Sequence, residues 1–104
     1  MANQPISVVT AREMIQEYIT YMTNHEIDMG AQTHNVGFGS AALLQWMHDV
    51  EPYTDEFRIC MGVYNAGPYQ GRITTIIWPY NSGSPAIDEN EKEIEPFNEG
   101  DLEP

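Results

Sequence analysis

Positive charge is scarce in this chain. Four Lys and Arg stand against 16 Asp and Glu, a formal net charge of −12 over 104 residues. Proteins that bind nucleic acid gain affinity by releasing phosphate counterions to Lys and Arg. Arg12, Arg58, Arg72 and Lys92 are too few and too scattered to form the stripe this requires. Nucleic acid is therefore excluded as a partner, and the same deficit argues against an anionic membrane surface. Cysteine is nearly absent: the single Cys60 rules out an internal disulfide and a multi-cysteine zinc site, and agrees with a reducing compartment. Long apolar runs are missing as well. No segment approaches the ~18 consecutive apolar residues of a membrane-spanning helix. The start, MANQPISVVTAREM, has no basic region followed by an apolar run of the secretory kind. A cytoplasmic protein is expected.

What is present belongs to a globular chain: 41% apolar and 11% aromatic residues over a length suited to one core. The acid is unevenly spread. Residues 88–104 hold eight Asp or Glu and one Lys, a net −7, which leaves −5 on the first 87. The shift in composition divides the chain into a compact domain, 1–86, and an acidic C-terminal tail, 87–104. Ile94, Phe97 and Leu102 interrupt the charge of that tail.

Hydrophobic spacing sets the elements. Ala11, Met14, Ile15, Tyr18, Ile19 and Met22 recur at three and four residues and predict a helix over 7–24. Thr10 and Glu13 have the spacing of a capping box, with Ser7 as the competing cap. The stretch 24–39 is Gly-rich and polar, a loop with one short extended piece. Ser40 is a suitable cap for a second helix carrying Leu43, Leu44, Trp46, Met47 and Val50, which Glu51-Pro52 ends. Phe57, Ile59, Met61 and Val63 then alternate with Arg58, Cys60, Gly62 and Tyr64, the period of a half-buried strand. NAGPYQG is a loop, and the β-branched run ITTIIW is the partner strand. That second strand carries bulk on both faces, Ile73 and Ile77 on one and Ile76 and Trp78 on the other, so its second face either packs on the tail or is a contact surface.

The residues that bear chemistry form no tight motif. His25, His34 and His48, with Glu26, Asp28 and Asp49, are the candidate donors for zinc or iron, but no pair sits at i,i+4 on a predicted helix. Cys60 lies in mid-strand, without the helix N-terminus that makes a thiolate. Glu13 and Glu17 face solvent on the first helix. Asp88, Asn90 and Glu99 fit positions 1, 3 and 12 of a calcium loop, but Glu93 stands where the turn needs glycine. No catalytic residue, metal site or cofactor is assigned. Pro-Tyr recurs at Pro52-Tyr53, Pro68-Tyr69 and Pro79-Tyr80, where proline punctuates and tyrosine anchors.

Taken together, ISVVTAREMIQEYITYM, GFGSAALLQWMHDV, FRICMGVY and RITTIIWPY resemble a group of small uncharacterised bacterial α+β proteins. In that group a helix with Met-Ile or Leu-Ile and a following Tyr precedes a Ser- or Arg-Ala-Leu-Leu helix, an Ile-Arg-Ile-Tyr strand and a final apolar strand. Here Arg58-Ile59-Cys60-Met61 stands in place of Ile-Arg-Ile-Tyr, and the acidic tail has no counterpart. The resemblance implies the order of elements and no activity.

The expected fold is α+β: two helices packed on one face of a small antiparallel sheet, centred on the 57–64 and 72–79 hairpin, with an acidic extension. The favoured function is an acidic interaction module of inhibitor, immunity or adaptor type, steered by charge to a basic protein. Its expected contacts are Tyr69, Trp78 and Tyr80 on the hairpin and Glu91, Glu93, Glu95, Glu99 and Asp101 in the tail. Two alternatives compete with it. One is a small metal- or ligand-dependent enzyme centred on the 24–39 loop and using His25, His34, Asp28 or His48. The other is a homodimer formed through the hairpin edge.

Overall fold

In the computed structural model, which describes residues 3–98 and 100–103, two helices and a small antiparallel sheet make an α+β fold. Helix α1 spans Val8–Asn24 and α2 spans Ser40–Val50. Ser7, not Thr10, caps α1: its Oγ accepts the Thr10 N–H at 3.1 Å and donates to Thr10 Oγ1 at 2.8 Å. The chain takes this option because Ser7 is extended at φ −66°, ψ 152°, which aims its hydroxyl at the free amides of the first turn. At α2 the cap is Gly39, and Ser40 is already helical. The helix then tightens into a 3-10 turn at Glu51–Tyr53 around Pro52.

The hairpin is the frame of the molecule. Strand β2, Glu56–Val63, pairs antiparallel with β3, Ile73–Asn81, from Glu56 opposite Tyr80 to Val63 opposite Ile73. Its loop closes through Gly71, whose N–H donates to the Tyr64 carbonyl at 2.8 Å from φ +85°, a conformation side chains rarely adopt. At the other end, Ser82 and Gly83 both have positive φ. They form the two-residue turn that returns the chain into β4, Ser84–Pro85.

Pro79 sits in mid-β3, where a missing N–H would ordinarily break a ladder. It is tolerated because residue 79 points away from β2: the Pro79 carbonyl accepts the Ala86 N–H at 2.9 Å. Ile77 points the same way, exchanging both of its backbone bonds with Phe97. The outer side of β3 is therefore occupied by the segment beyond β4. There Ala86 accepts from Ile94, Asn98 Nδ2 donates to the Thr75 carbonyl at 2.6 Å, and Ile87 and Glu93 form a bridge. A second, two-stranded sheet joins β1, Asn35–Gly37, to β5, Asp101–Glu103.

Both helices lie over the face of the hairpin that carries its odd-numbered residues. Trp46 of α2 sits between Phe57 and Phe97, with centroids 5.6 and 5.1 Å away, above buried Ile77 and Pro79. Helix α1 lies nearer the loop end, where Met14, Ile15 and Tyr18 line an open groove of about 340 Å³ with Met61 and Ile73. No residue of α1 is fully buried, and Met14 and Ile15 are each 57% exposed. The radius of gyration, 16.0 Å, exceeds the ~13 Å of a compact chain of this length.

Candidate functional site

The acidic segment is held by apolar and backbone interactions. Phe97 docks it on Ile77 at the outer side of β3, and the Ile94 N–H donates to the Ala86 carbonyl just past β4. Asp88 shapes its turn: one carboxylate oxygen accepts the Asn90 and Lys92 N–H groups at 2.8 and 3.1 Å. Asp88 is thus occupied by its own loop, whereas Glu89, Glu91, Glu93 and Glu95 are exposed. Glu89 accepts a short hydrogen bond from Tyr53 Oη. That bond holds the Glu89 carboxyl below its ordinary range and pushes the Tyr53 phenol above its own. Glu99 lies outside the described residues, and Asp101 enters β5 opposite Gly37. The only Lys or Arg ion pair among the described residues joins Arg58 Nε to Glu56 at 2.9 Å. The remaining described carboxylates therefore act without a basic side chain against them.

The structure brings two of the three expected aromatic residues together. Trp78 and Tyr80 share the even-numbered face of β3, both half-buried, and the Arg58 guanidinium stands 4.0 Å over the Tyr80 ring. The Trp78 indole N–H is buried and has no hydrogen-bond partner. Tyr69 sits in the hairpin loop at the other end of β3, roughly 20 Å away by strand rise, beside Tyr64 at 5.8 Å and Arg72 at 5.9 Å.

The 24–39 loop uses its polar groups to hold itself. His34 Nε2 donates to the Met29 carbonyl at 2.6 Å, and His25 Nδ1 to the Tyr21 carbonyl at 2.8 Å, its ring stacked on Tyr21. Gln32 Oε1 accepts the Ile73 and Thr33 N–H groups at 2.7 and 2.9 Å, tying the loop to the start of β3. Asp28 accepts the Gly30 N–H. His48 lies apart, in an open groove with Met47, Glu51 and Phe57. Among the described residues, no three His, Cys, Asp or Glu side chains converge to hold a metal ion, and no helix is long and apolar enough to cross a membrane.

One surface emerges that composition alone does not single out. On β2, Ile59, Met61 and Val63 point to the helix side of the sheet yet are 61%, 67% and 63% exposed. They belong to the edge strand of the sheet, and beside them Tyr18 of α1 leaves the groove over Met61 open. The chain matches no family model, no curated protein sequence and no solved structure.

Proposed function

We propose that this chain is an acidic protein-interaction module, of inhibitor, immunity or adaptor type, that binds a basic partner protein. One observation carries the reading: Glu91, Glu93 and Glu95 are displayed on a segment fixed to the sheet by Phe97 and Ile94, with no basic side chain paired to them. Carboxylates held in place present a directional field, whereas the same charges on a free chain are spread and screened. Trp78, Tyr80 and Arg58, on the face adjoining this segment, supply the aromatic and guanidinium groups typical of binding hot spots. Tyr69 serves a separate contact at the loop end.

The test is capture from native lysate on immobilised full chain at low salt, followed by association kinetics with the basic protein recovered. Substitution is preferable to truncation, because removing the tail would also remove Phe97 and Leu102 from their packing. The triple variant Glu91→Gln, Glu93→Gln, Glu95→Gln should lower the association rate about 10-fold or more at low salt, with the difference vanishing at high salt. An association rate unchanged by both salt and the triple substitution would sink the reading.

A further inference from the structure

The free edge of β2 and the apolar face beside it form one surface. Ile77 and Pro79 aim their backbone groups away from β2, so the even-numbered residues of β3 are those that bond across to it. On β2 the even-numbered residues answer them, and the N–H and C=O groups of Phe57, Ile59, Met61 and Val63 point outward from the sheet. These four also carry the exposed apolar side chains. The edge between them has none of the devices that blunt natural edges: no proline, no lysine and no inward charge lie between Phe57 and Val63, and the one charged residue, Arg58, is folded over Tyr80.

We propose that β2 pairs antiparallel with β2 of a second copy of this chain, about a two-fold axis at Cys60 perpendicular to the sheet. Matching apolar face to apolar face restricts the register to pairs whose residue numbers sum to an even number. Centring on Cys60 sets Phe57 opposite Val63 and Ile59 opposite Met61, each pair occurring twice, so every outward amide and carbonyl of the four residues is used. Centring on Ile59 instead would set Val63 against Asp55, and centring on Met61 would set Phe57 against Asn65. Only the Cys60 register pairs the whole apolar set, and it places Arg58 opposite Gly62, where there is room for the longer side chain. The pair forms a continuous sheet with all four helices on one side, and α1 of each copy lies beside Ile59 of the other.

The single chain has surface to cover. A compact monomer of 11.8 kDa exposes about 5,900 Å², whereas this chain exposes 7837 Å², and Phe57, Ile59, Met61 and Val63 are 37–67% exposed along one edge. This inference stands apart from the acidic-surface reading: the four apolar residues of β2 and Cys60 are not among those proposed to meet a basic partner, and Arg58 alone borders both surfaces.

The Cys60 register supplies its own probe. Cys60 faces its copy at a non-hydrogen-bonded position, with Cα atoms about 4.5 Å apart, inside the ~4.4–6.8 Å that a disulfide spans. Light scattering on the full chain should give twice 11.8 kDa, about 24 kDa, over roughly 1–200 µM. Mild oxidation with copper–phenanthroline, which takes two electrons and two protons from the thiol pair, should convert that species to a covalent dimer. Met61→Lys should give a single-chain mass with helix content retained, because Met61 is already exposed in the single chain. Ile59→Pro should do the same, since it removes an outward N–H and none that bonds to β3. A single-chain mass for the unmodified protein overturns the proposal, as does a two-chain mass that resists Cys60 cross-linking or survives both substitutions. If either variant fails to fold, the mass and cross-link of the unmodified chain decide.

Discussion

Phe97 and Ile77 exchange both backbone hydrogen bonds, each N–H donating to the other's carbonyl at 2.9 Å. The pairing puts the Phe97 ring against Trp46 and Phe38, at 5.1 and 5.3 Å between centroids. Attachment of the acidic segment thus depends on this ring and not on its charges. Phe97→Ala should cost about 3 kcal/mol, read as a lower urea midpoint. Glu95→Gln, two residues away and exposed, should stay within about 0.5 kcal/mol of the parent. Equal effects from the two would refute the apolar anchor.

Gly100 lies tightly against β1. A Cβ there would meet the Gly37 carbonyl oxygen at 2.6 Å and Val36 Cγ1 at 2.7 Å. The β1–β5 ladder, with Val36 opposite Leu102, would have to shift to admit it. Gly100→Ala should therefore destabilise by about 1–3 kcal/mol and lower Tm by roughly 5–15 °C. Gly39→Ser, where nothing lies within 4 Å and serine suits the α2 cap, should leave Tm unchanged or slightly raised. Thermal unfolding followed by circular dichroism distinguishes the two.

The helices and the hairpin are legible in the sequence because their signals are local and periodic. Met14, Ile15 and Tyr18 mark one side of α1, and the alternation from Phe57 to Val63 marks one side of β2. Alternation tells which way a residue points but not whether anything covers it. Ile59, Met61 and Val63 face the helix side and remain exposed because β2 is an edge strand, which is a property of topology. The same limit hides how Ile94, Phe97 and Leu102 dock, since single bridges across many residues leave no period to read. Among the candidate site residues, Trp78 and Tyr80 fall on one face by the two-residue rule, while the position of Tyr69 depends on a loop whose shape is set by Gly67 and Gly71. The cap at Ser7 was decided by backbone direction, to which a spacing rule is blind.

The Tyr53–Glu89 hydrogen bond gives the fold a dependence on pH at the acid side. The bond favours the ionised Glu89, so its carboxyl is depressed in the folded state relative to the unfolded. The stabilisation is therefore present above the unfolded value and is lost as pH falls through the folded one. Side-chain carbon NMR should show Glu89 titrating below its ordinary range, and Tyr53→Phe should bring it back up. An unshifted Glu89 in both proteins would rule out the bond in solution.

Salt should stabilise this protein. A chain held by ion pairs loses stability as ions screen attraction, but here Arg58–Glu56 is the only Lys or Arg pair among the described residues, and both partners are about half exposed, where such a pair is worth little. The dominant long-range effect is repulsion within a net charge of −12. At 0.01 M salt the screening length is about 30 Å, comparable to the 26 Å short dimension of the molecule, so carboxylates on opposite sides still repel. At 0.15 M it falls to about 8 Å and only neighbours interact. Tm at a fixed protein concentration should rise by about 2–5 °C between these conditions in NaCl, and the rise should shrink in the triple Glu91, Glu93, Glu95→Gln variant. A Tm that falls with salt would mean that attractions outweigh the acidic field, and the segment 88–95 would then be neutralised within the fold and unable to steer a partner.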